Sequence, residues 1–291
     1  MNFSFESFVK GSFDYDSKNK VHTSLSILNE NPWMNDIYVT ISDIDRIKDY
    51  PDANVVNIVG LRQDTFDYFI KTYGHQFKAI RFSNLRHIEN LSLLGTLPQL
   101  EYVCLSSCWK ATALWDMKGN TSLTGLCIED FTRLTSIHGI ETAPALKELD
   151  IGNTMWMTMV IDSFLPISNM EIERLAFNGR AIADNDLSFL EHLPHLKKFD
   201  FATNMLTTEQ VAWIVSNFPQ VEGYALKAKL DCMLLYSNEN RVLVPHAMII
   251  GKRKPSLRVA GNEKRIQKYL DSFEKLKSRY KGVPYKVAFP S

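Results

Sequence analysis

The sequence predicts an α/β fold in which short strands and return segments alternate and stack into a horseshoe-shaped solenoid. Three observations predict it: an apolar pattern recurs at nearly constant spacing, each copy alternates like a short strand, and a second apolar set lies between the copies. In such a stack the strands line the concave side as a parallel sheet. A C-terminal α/β cap is expected to close one end of the core.

The recurring pattern is L-x-x-L-x-L, in which L stands for any large apolar residue. Successive copies begin 23 to 26 residues apart. Within each copy the alternating side chains would point to opposite faces, so that stacked copies bury one continuous core. The first copy is weak because alanine fills its first slot, and the last consists of Val221, Tyr224 and Leu226. The copies begin at Ala53, Phe77, Leu100, Leu123, Leu146, Ile172, Leu196 and Val221.

The segments between the copies carry apolar residues at helical spacing. Segments 91–97 and 187–193 have a leucine at every third position and are followed by proline. Segments 66–70 and 211–215 are typical of true helices, and the second follows a Thr-x-x-Gln capping pair that starts at Thr207. The return segments are therefore expected to be helical and bulkier than the strands.

These copies, for example 146–153 (LKELDIGN), resemble the repeats of bacterial leucine-rich-repeat proteins over residues 53–228. The resemblance implies a leucine-rich-repeat solenoid with a parallel sheet on the concave face, and a binding role, since that family is mostly a binding scaffold. The asparagine that the family places eight residues after each first leucine is kept only at Asn204. Neighbours such as Asn84 and Asp130, or water, would then satisfy the backbone of irregular turns.

A solenoid needs caps over its terminal core faces, and residues 1–52 would form the N-terminal cap of a solenoid over 53–228. Ile37–Ile41 alternates like a strand, and Ser42 can cap a short helix that ends before Pro51. Four upstream phenylalanines would seal this end of the core or form a loosely ordered arm. They are Phe3, Phe5, Phe8 and Phe13.

Residues 229–291 would form the C-terminal cap, a hairpin plus a helix. Cys232–Tyr236 and Arg241–Val244 are typical of the two hairpin strands, and Ala247–Ile250 is a candidate third strand. An amphipathic helix is expected to open at Asn262.

Composition favours a cytoplasmic protein. The 33 basic and 33 acidic residues balance, although 14 basic and only 5 acidic residues follow residue 228, so the body is acidic and the tail basic. The N-terminus lacks the pattern of a secretory signal, and no apolar run approaches the roughly 20 residues that span a bilayer. The cysteines show neither a CxxC pair nor a disulfide pattern. They are Cys104, Cys108, Cys127 and Cys232.

The residues between the apolar pairs would form columns on the concave face, and charges of both signs alternate there. This pattern favours a groove that is complementary in charge to a protein or peptide partner. Cross-strand pairing of opposite charges is the structural alternative. The candidate partner-binding residues are Arg81, Tyr102, Glu129, Glu148, Asp150, Arg174, Asn178, Lys198 and Asp200.

Cys104 and Cys127 occupy equivalent positions in adjacent copies, with Asp150 next in the column. A metal or redox pair is conceivable there, but no fourth ligand converges, and two free thiols are expected. No metal or cofactor is predicted.

Two other features suggest contact surfaces. Trp109, Trp115 and the run Met155–Met159 follow strands at one rim, where Trp156 is expected to point inward and the flanking methionines outward. The basic tail supports an alternative function, the binding of nucleic acid or an anionic surface. It consists of the run Gly251–Pro255 with Arg258, Lys264, Arg265 and Lys268.

The sequence does not predict an enzyme. His192 and His195 lie in a return segment without an HExxH pattern, and Ser106 is not part of a GxSxG turn. The predicted function is non-catalytic binding of a protein or peptide on the concave face. The partner's identity and the oligomeric state are left open.

Overall fold

The computed structural model describes residues 4–11, 24–27, 38–153, 158–235 and 243–290. It confirms an α/β structure whose main feature, within these residues, is a parallel sheet of eight strands that is not closed into a barrel. In spatial order the strands are β1 (Ser24–Ile27), β2 (Val55–Val59), β3 (Ala79–Ser83), β4 (Tyr102–Ser106), β5 (Gly125–Glu129), β6 (Glu148–Gly152), β8 (Arg174–Asn178) and β10 (Lys198–Phe201), while β7 (Val160–Ile161) and β9 (Ala181–Ile182) form a separate parallel pair.

The register of the large sheet follows the repeat in the sequence. Val103 of β4 pairs with Leu126 of β5, which pairs in turn with Leu149 of β6. These side chains are fully buried in one core that extends along the whole sheet. The residues between them point to the opposite face, because side chains alternate along a strand. From β2 to β10, equivalent residues of successive copies therefore lie side by side in columns.

Most return segments contain short helices. The two predicted helices are confirmed as α3 (Gln63–Thr72) and α4 (Thr208–Asn217). The capping pair of α4 is present, since the Thr207 hydroxyl accepts from the backbone N–H of Gln210 at 3.1 Å and the Gln210 side chain accepts from that of Thr207 at 2.9 Å. Tighter 3-10 helices occupy Arg46–Asp49, Gly74–Gln76, Ser92–Thr96, Ile140–Thr142, Leu165–Ile167 and Ser188–His192.

Side-chain amides connect successive return segments. Gln76 and Gln99 each donate to two backbone carbonyls of the unit before them. Asn120, which is fully buried, donates in the same way to the carbonyls of Leu94 at 2.7 Å and Leu97 at 3.0 Å. These amides lie before the strands. The sequence analysis considered only the asparagine positions that follow the strands and so did not predict them.

The turns after the strands are irregular, as expected. Asn84, Ser107 and Asp130 adopt left-handed backbone conformations, with φ of 57°, 58° and 55°. Asparagine and aspartate tolerate this conformation better than most residues. In the next turn the Asn153 side chain accepts from the backbone N–H of Met159 at 2.7 Å. Equivalent turns of successive copies are therefore stabilised by different residues.

The predicted strand of the N-terminal cap is wrong, whereas its predicted short helix is present and begins one or two residues earlier than expected, as Ile41–Asp45 continued by the 3-10 helix Arg46–Asp49. No strand covers the described part of Ile37–Ile41, because helix α2 (Ile41–Asp45) begins there. Thr40 rather than Ser42 is its N-cap, and Thr40 and Asp43 form a capping box. This box satisfies the first backbone N–H groups of a helix, which outweighs the strand-like alternation. The edge strand is β1, which the sequence analysis did not predict.

The last copy forms no strand. A single bridge joins Lys198 to Glu222, and the backbone N–H of Tyr224 donates to the Asp200 carboxylate at 3.2 Å. The Tyr224 side chain, expected in the core, is 46% exposed. The chain turns here into a second sheet, so the segment that begins at Val221 has no further strand on its outer side to cover it.

The C-terminal cap is a three-stranded antiparallel sheet and a helix. The predicted hairpin is confirmed as β11 (Lys229–Leu235) and β12 (Leu243–Ile249), with its turn outside the described residues. The proposed third strand, Ala247–Ile250, instead continues β12, and the third strand is β13 (Ser256–Arg258). The predicted amphipathic helix is confirmed as α5 (Glu263–Tyr280). Among the described helices, none combines the length and the apolar character needed to cross a membrane.

The C-terminal end packs against the return helices of the body. The indole N–H of Trp213 donates to the carbonyl of Val283 at 2.7 Å. Helix α6 (Tyr285–Ala288) follows, and the Tyr285 hydroxyl donates to the carbonyl of Asn185 at 2.6 Å. Phe273, Tyr280 and Tyr285 thus belong to the same core as the large sheet, while the side chains between β12, β13 and α5 form a small separate core.

Candidate functional site

A short N-terminal helix lies on the face of the large sheet opposite the core. This helix, α1 (Phe5–Val9), has Ser4 as its N-cap, whose hydroxyl accepts from the backbone N–H of Ser7 at 3.2 Å. We call the surface on which it lies the α1 face. Its residues are Val55, Asn57, Ala79, Arg81, Tyr102, Cys104, Gly125, Cys127, Glu129, Glu148, Asp150, Arg174, Ala176, Asn178, Lys198 and Asp200.

Phe5 and Phe8 anchor α1. Both side chains are fully buried, and their spacing of three residues places them on one side of the helix. They were expected at the end of the core or in a loose arm, and this placement is wrong, because both rings pack on the apolar centre of the α1 face. Phe3 and Phe13 lie outside the described residues. The two anchors pack in one cluster with Val55, Ala79, Cys104 and Cys127.

Tyr102 and Gly125 shape the slot that holds the anchors. The Tyr102 ring centroid lies 5.4 Å from that of Phe5 and 5.7 Å from that of Phe8. A Cβ atom at position 125 would lie 2.3 Å from the Phe5 ring, so glycine leaves the space that this ring fills. Burial raises the pKa of Tyr102, which stays neutral.

Arg81 holds the C-terminal end of α1. Its guanidinium donates to the backbone carbonyls of Phe8, at 3.3 Å, and Val9. The same group lies 3.4 Å from the sulfur of Cys104 and 3.9 Å from the Glu129 carboxylate. The last carbonyls of a helix lack internal partners and carry its negative dipole, so a buried cation there both caps and orients it.

Lys198 and Glu6 link α1 to the other side of the face. The Lys198 ammonium lies 3.4 Å from the Glu6 carboxylate and 3.4 Å from Asp200. A hydrogen bond from Lys10 and the charge of Lys198 lower the pKa of Glu6. Because the side chains of Lys198 and Glu6 are more than a third exposed, the contact between them adds little stability and mainly fixes the direction of the helix.

Arg174 lies beside Phe5 with only part of its hydrogen-bonding capacity used. Its guanidinium carbon is 6.0 Å from the Phe5 ring centroid, and Nη2 donates to Asp150 at 3.3 Å. Nε and Nη1 are buried without a hydrogen-bond partner in the described structure. An unmade buried hydrogen bond costs about 1–3 kcal/mol. Burial raises the pKa values of Asp150 and Glu148 although Arg174 opposes the shift in both.

Glu129 is the most strongly perturbed carboxyl group of the α1 face. Burial raises its pKa to about 7, and the repulsion from Asp150 adds to the rise, while Arg81 opposes it. Its Oε2 atom is buried and has no hydrogen-bond partner among the described residues. Desolvation therefore outweighs the ion pair, and the group titrates near neutral pH.

Cys104 and Cys127 are free thiols that face each other across β4 and β5, as expected. Their sulfur atoms are 3.2 Å apart, and burial raises the pKa of Cys127. With Glu129 they form a group whose ligand atoms lie within 4.8 Å of one another, whereas Asp150, considered from the sequence, is not part of it. The guanidinium of Arg81 already supplies a positive charge there, which disfavours a metal cation.

Eight of the nine predicted site residues meet around α1, directly or through a neighbour. Asn178 does not take part, since its amide donates to the carbonyl of Asn153 at 2.5 Å in the turn after β6. The eight are Arg81, Tyr102, Glu129, Glu148, Asp150, Arg174, Lys198 and Asp200.

The rim predicted from tryptophan and methionine is only partly present. Trp109 is 43% exposed, and the Arg86 guanidinium lies 4.3 Å from its ring centroid. Trp115 is buried and donates to the Asn120 side chain at 2.8 Å, so its placement at the rim is wrong. The run 154–157, with its tryptophan and two flanking methionines, lies outside the described residues.

A basic cluster lies apart from α1. Arg180, from the turn between β8 and β9, joins Lys252, Arg253 and Lys254 around a cleft of about 400 Å³. In the described part of the chain none of these four side chains forms an ion pair. The four side chains therefore present positive charge without ion pairs, although the segment docks on the body through its backbone, since the N–H groups of Gly251 and Lys252 donate to the carbonyls of Thr203 and Leu206.

The sequence analysis missed α1 itself as part of the site. Its signal was present, since a serine cap is followed by two phenylalanines three residues apart with glutamate between them. A helix of this length has little stability of its own, so the pattern alone did not predict it.

The chain matches no protein-family model and no curated protein. The function of the α1 face is therefore argued from its chemistry.

Proposed function

We propose that the chain is a non-catalytic interaction module of the leucine-rich-repeat type, which binds a protein or peptide on the α1 face. The parallel strands in sequence order and the matching spacing of the copies support a solenoid with this face as its concave surface. The four cysteines are free, which supports a reducing compartment such as the cytoplasm.

The observation that carries this proposal is the way α1 is held. Two aromatic side chains enter an apolar slot, and Arg81 and Lys198 interact with the backbone and the acidic group of the helix. Proteins that bind an amphipathic helix in a groove use the same combination. Arg81, Tyr102 and Arg174 are also of the types that dominate binding energy at interfaces.

The proposed function is tested by selecting random displayed peptides on the full-length chain carrying Phe5→Ser and Phe8→Ser. These changes empty the slot and alter no residue of the α1 face. Selected peptides are then titrated against the same chain by fluorescence anisotropy. We expect dissociation constants in roughly the micromolar range, typical of short peptides in a preformed groove.

The matched control chain carries Asp150→Arg and Arg174→Asp in addition. In the unaltered chain the Arg174 guanidinium lies 3.3 Å from the Asp150 carboxylate. The exchange keeps an ion pair between the two positions but reverses the charges that a bound peptide meets. We expect at least about ten-fold weaker binding. Unchanged affinity would exclude the α1 face as the binding surface.

A second candidate function, the binding of an anionic polymer or surface, is favoured by the unpaired basic cluster. Its test is a salt titration of single-stranded RNA and duplex DNA binding by the chain and by the variant Lys252→Ala, Arg253→Ala, Lys254→Ala. Phosphate binding falls steeply with salt, and the variant should lower the slope. In the control, Lys264, Arg265 and Lys268 on α5 are changed to alanine. A flat salt response of the unaltered chain would exclude this function.

A further inference from the structure

Helix α1 is held on the sheet by side chains and takes no part in the strand ladder. The ladder bonds run between neighbouring strands, whereas the α1 backbone is bonded to the Arg81 side chain. The main core lies on the other side of the sheet. Removing α1 would therefore expose the slot while leaving the ladder and the core in place. A helix of five residues is too short to persist without its contacts, so α1 depends on the face.

The fit between α1 and the face is incomplete. Two guanidinium nitrogens of Arg174, beside Phe5, and one carboxylate oxygen of Glu129 are buried without hydrogen-bond partners among the described residues. A segment that belonged permanently to the core would be expected to satisfy such groups. An incoming segment with a carboxylate near its first aromatic residue would pair with Arg174.

We propose that α1 is a displaceable internal ligand, and that the partner of the α1 face is a short amphipathic helix with two aromatic side chains three residues apart. This inference rests on the proposed function and narrows it to one class of partner. The two aromatic side chains of the partner replace Phe5 and Phe8 in the slot. The last backbone carbonyls of its helix accept hydrogen bonds from Arg81, and an acidic side chain lies near Lys198. The chain thereby limits access to its own binding face.

The four cysteines provide a direct measure of α1 release. Cys104 and Cys127 are fully buried in the cluster that contains Phe5 and Phe8. Cys108 is equally buried, but in the main core, so it reacts only when the core opens. Cys232 is partly exposed and reports the unhindered reaction. Alkylation by N-ethylmaleimide under native conditions, read at each site by mass spectrometry, separates the three cases.

In the unaltered chain we expect Cys104 and Cys127 to react at least about ten-fold faster than Cys108, because local opening is less costly than opening of the core. Equal rates for the three would mean that α1 leaves only on unfolding and would overturn the inference. This comparison needs no variant, so it holds even if a substitution in α1 prevents folding.

The chemical class of the partner is tested with a fluorescent peptide of residues 1–11 (MNFSFESFVKG). A tethered segment competes at an effective concentration in roughly the millimolar range, so this peptide should bind the Phe5→Ser, Phe8→Ser chain at least about ten-fold more tightly than the unaltered chain. It should also slow alkylation of Cys104 and Cys127 in the variant and leave Cys108 unchanged. A peptide with both phenylalanines changed to serine should do neither.

The two proposals can fail separately. Selected peptides that bind the α1 face but lack paired aromatic residues, and are not displaced by the 1–11 peptide, would refute this inference and keep the proposed function. The absence of any binding by the folded variant would refute both.

Discussion

Glu129 makes the stability of this chain depend on pH at the scale of a single residue. Its pKa is raised from 4.5 to about 7, so the folded state holds a proton that the unfolded state releases. The stability that Glu129 contributes is therefore greatest below about pH 4.5 and is lost as pH rises through 7. The groups that face it are Arg81, Asp130, Asp150 and Cys127.

We expect Glu129→Gln to remove this dependence, since glutamine resembles the protonated carboxyl group. At pH 5 the variant and the parent should have similar free energies of unfolding, and at pH 8 the variant should be more stable by up to about 3 kcal/mol. Urea unfolding at both pH values measures the difference. A difference that is the same at pH 5 and pH 8 would contradict the raised pKa.

At this scale the sequence predicted which side chains share a face, because strand alternation decides it. It placed Arg81, Tyr102 and Arg174 together, and it predicted free thiols at Cys104 and Cys127. It did not reveal that Glu129 titrates near pH 7. That property depends on how deeply the assembled sheet buries the carboxyl group, and no local pattern records it.

At the scale of elements, side-chain amides hold neighbouring units together, and that of Asn120 is fully buried. Asn120 donates to two carbonyls and accepts from the indole N–H of Trp115. Asn120→Ala would leave these buried groups unpaired, and we expect a loss of about 2–4 kcal/mol in the free energy of unfolding. The matched control is Thr121→Ala at the exposed neighbouring position, with a change of less than about 0.5 kcal/mol. Similar losses in both variants, measured by urea unfolding, would contradict the role of the amide.

The strands and the longer helices followed from periodicity, whereas β1, α1 and the start of α2 did not. In β2 to β10 the alternating pattern and the partner strands favour the same structure. In the N-terminal cap, Thr40 and Asp43 satisfy the first turn of α2, and α1 forms hydrogen bonds with residues 72 to 192 positions away in the chain. Contacts of that separation depend on the assembled sheet.

At the scale of the whole molecule, the C-terminal end of the cap shares the core of the large sheet, although Ala247, Ile249, Leu257 and Ile266 form a small core of their own. Tyr285 connects the cap to the core of the large sheet, since its ring lies 5.0 Å from that of Trp213 and its hydroxyl donates to Asn185 and accepts from Gln210 at 3.0 Å. The sequence predicted a separate cap from its composition, but it could not predict this contact because the residues involved are 70 to 100 positions apart.

We therefore expect Tyr285→Ala to destabilise the entire chain by about 3–5 kcal/mol, through lost packing and unpaired groups, and Tyr285→Phe by about 1–2 kcal/mol. Tryptophan fluorescence and far-UV circular dichroism should report one coincident transition in urea for the parent and both variants. When structural units are stabilised by contacts with their neighbours, only units that share a core are expected to unfold together. An early transition confined to the C-terminal cap, with the sheet unfolding later at the parent's midpoint, would show that the cap and the sheet are energetically separate.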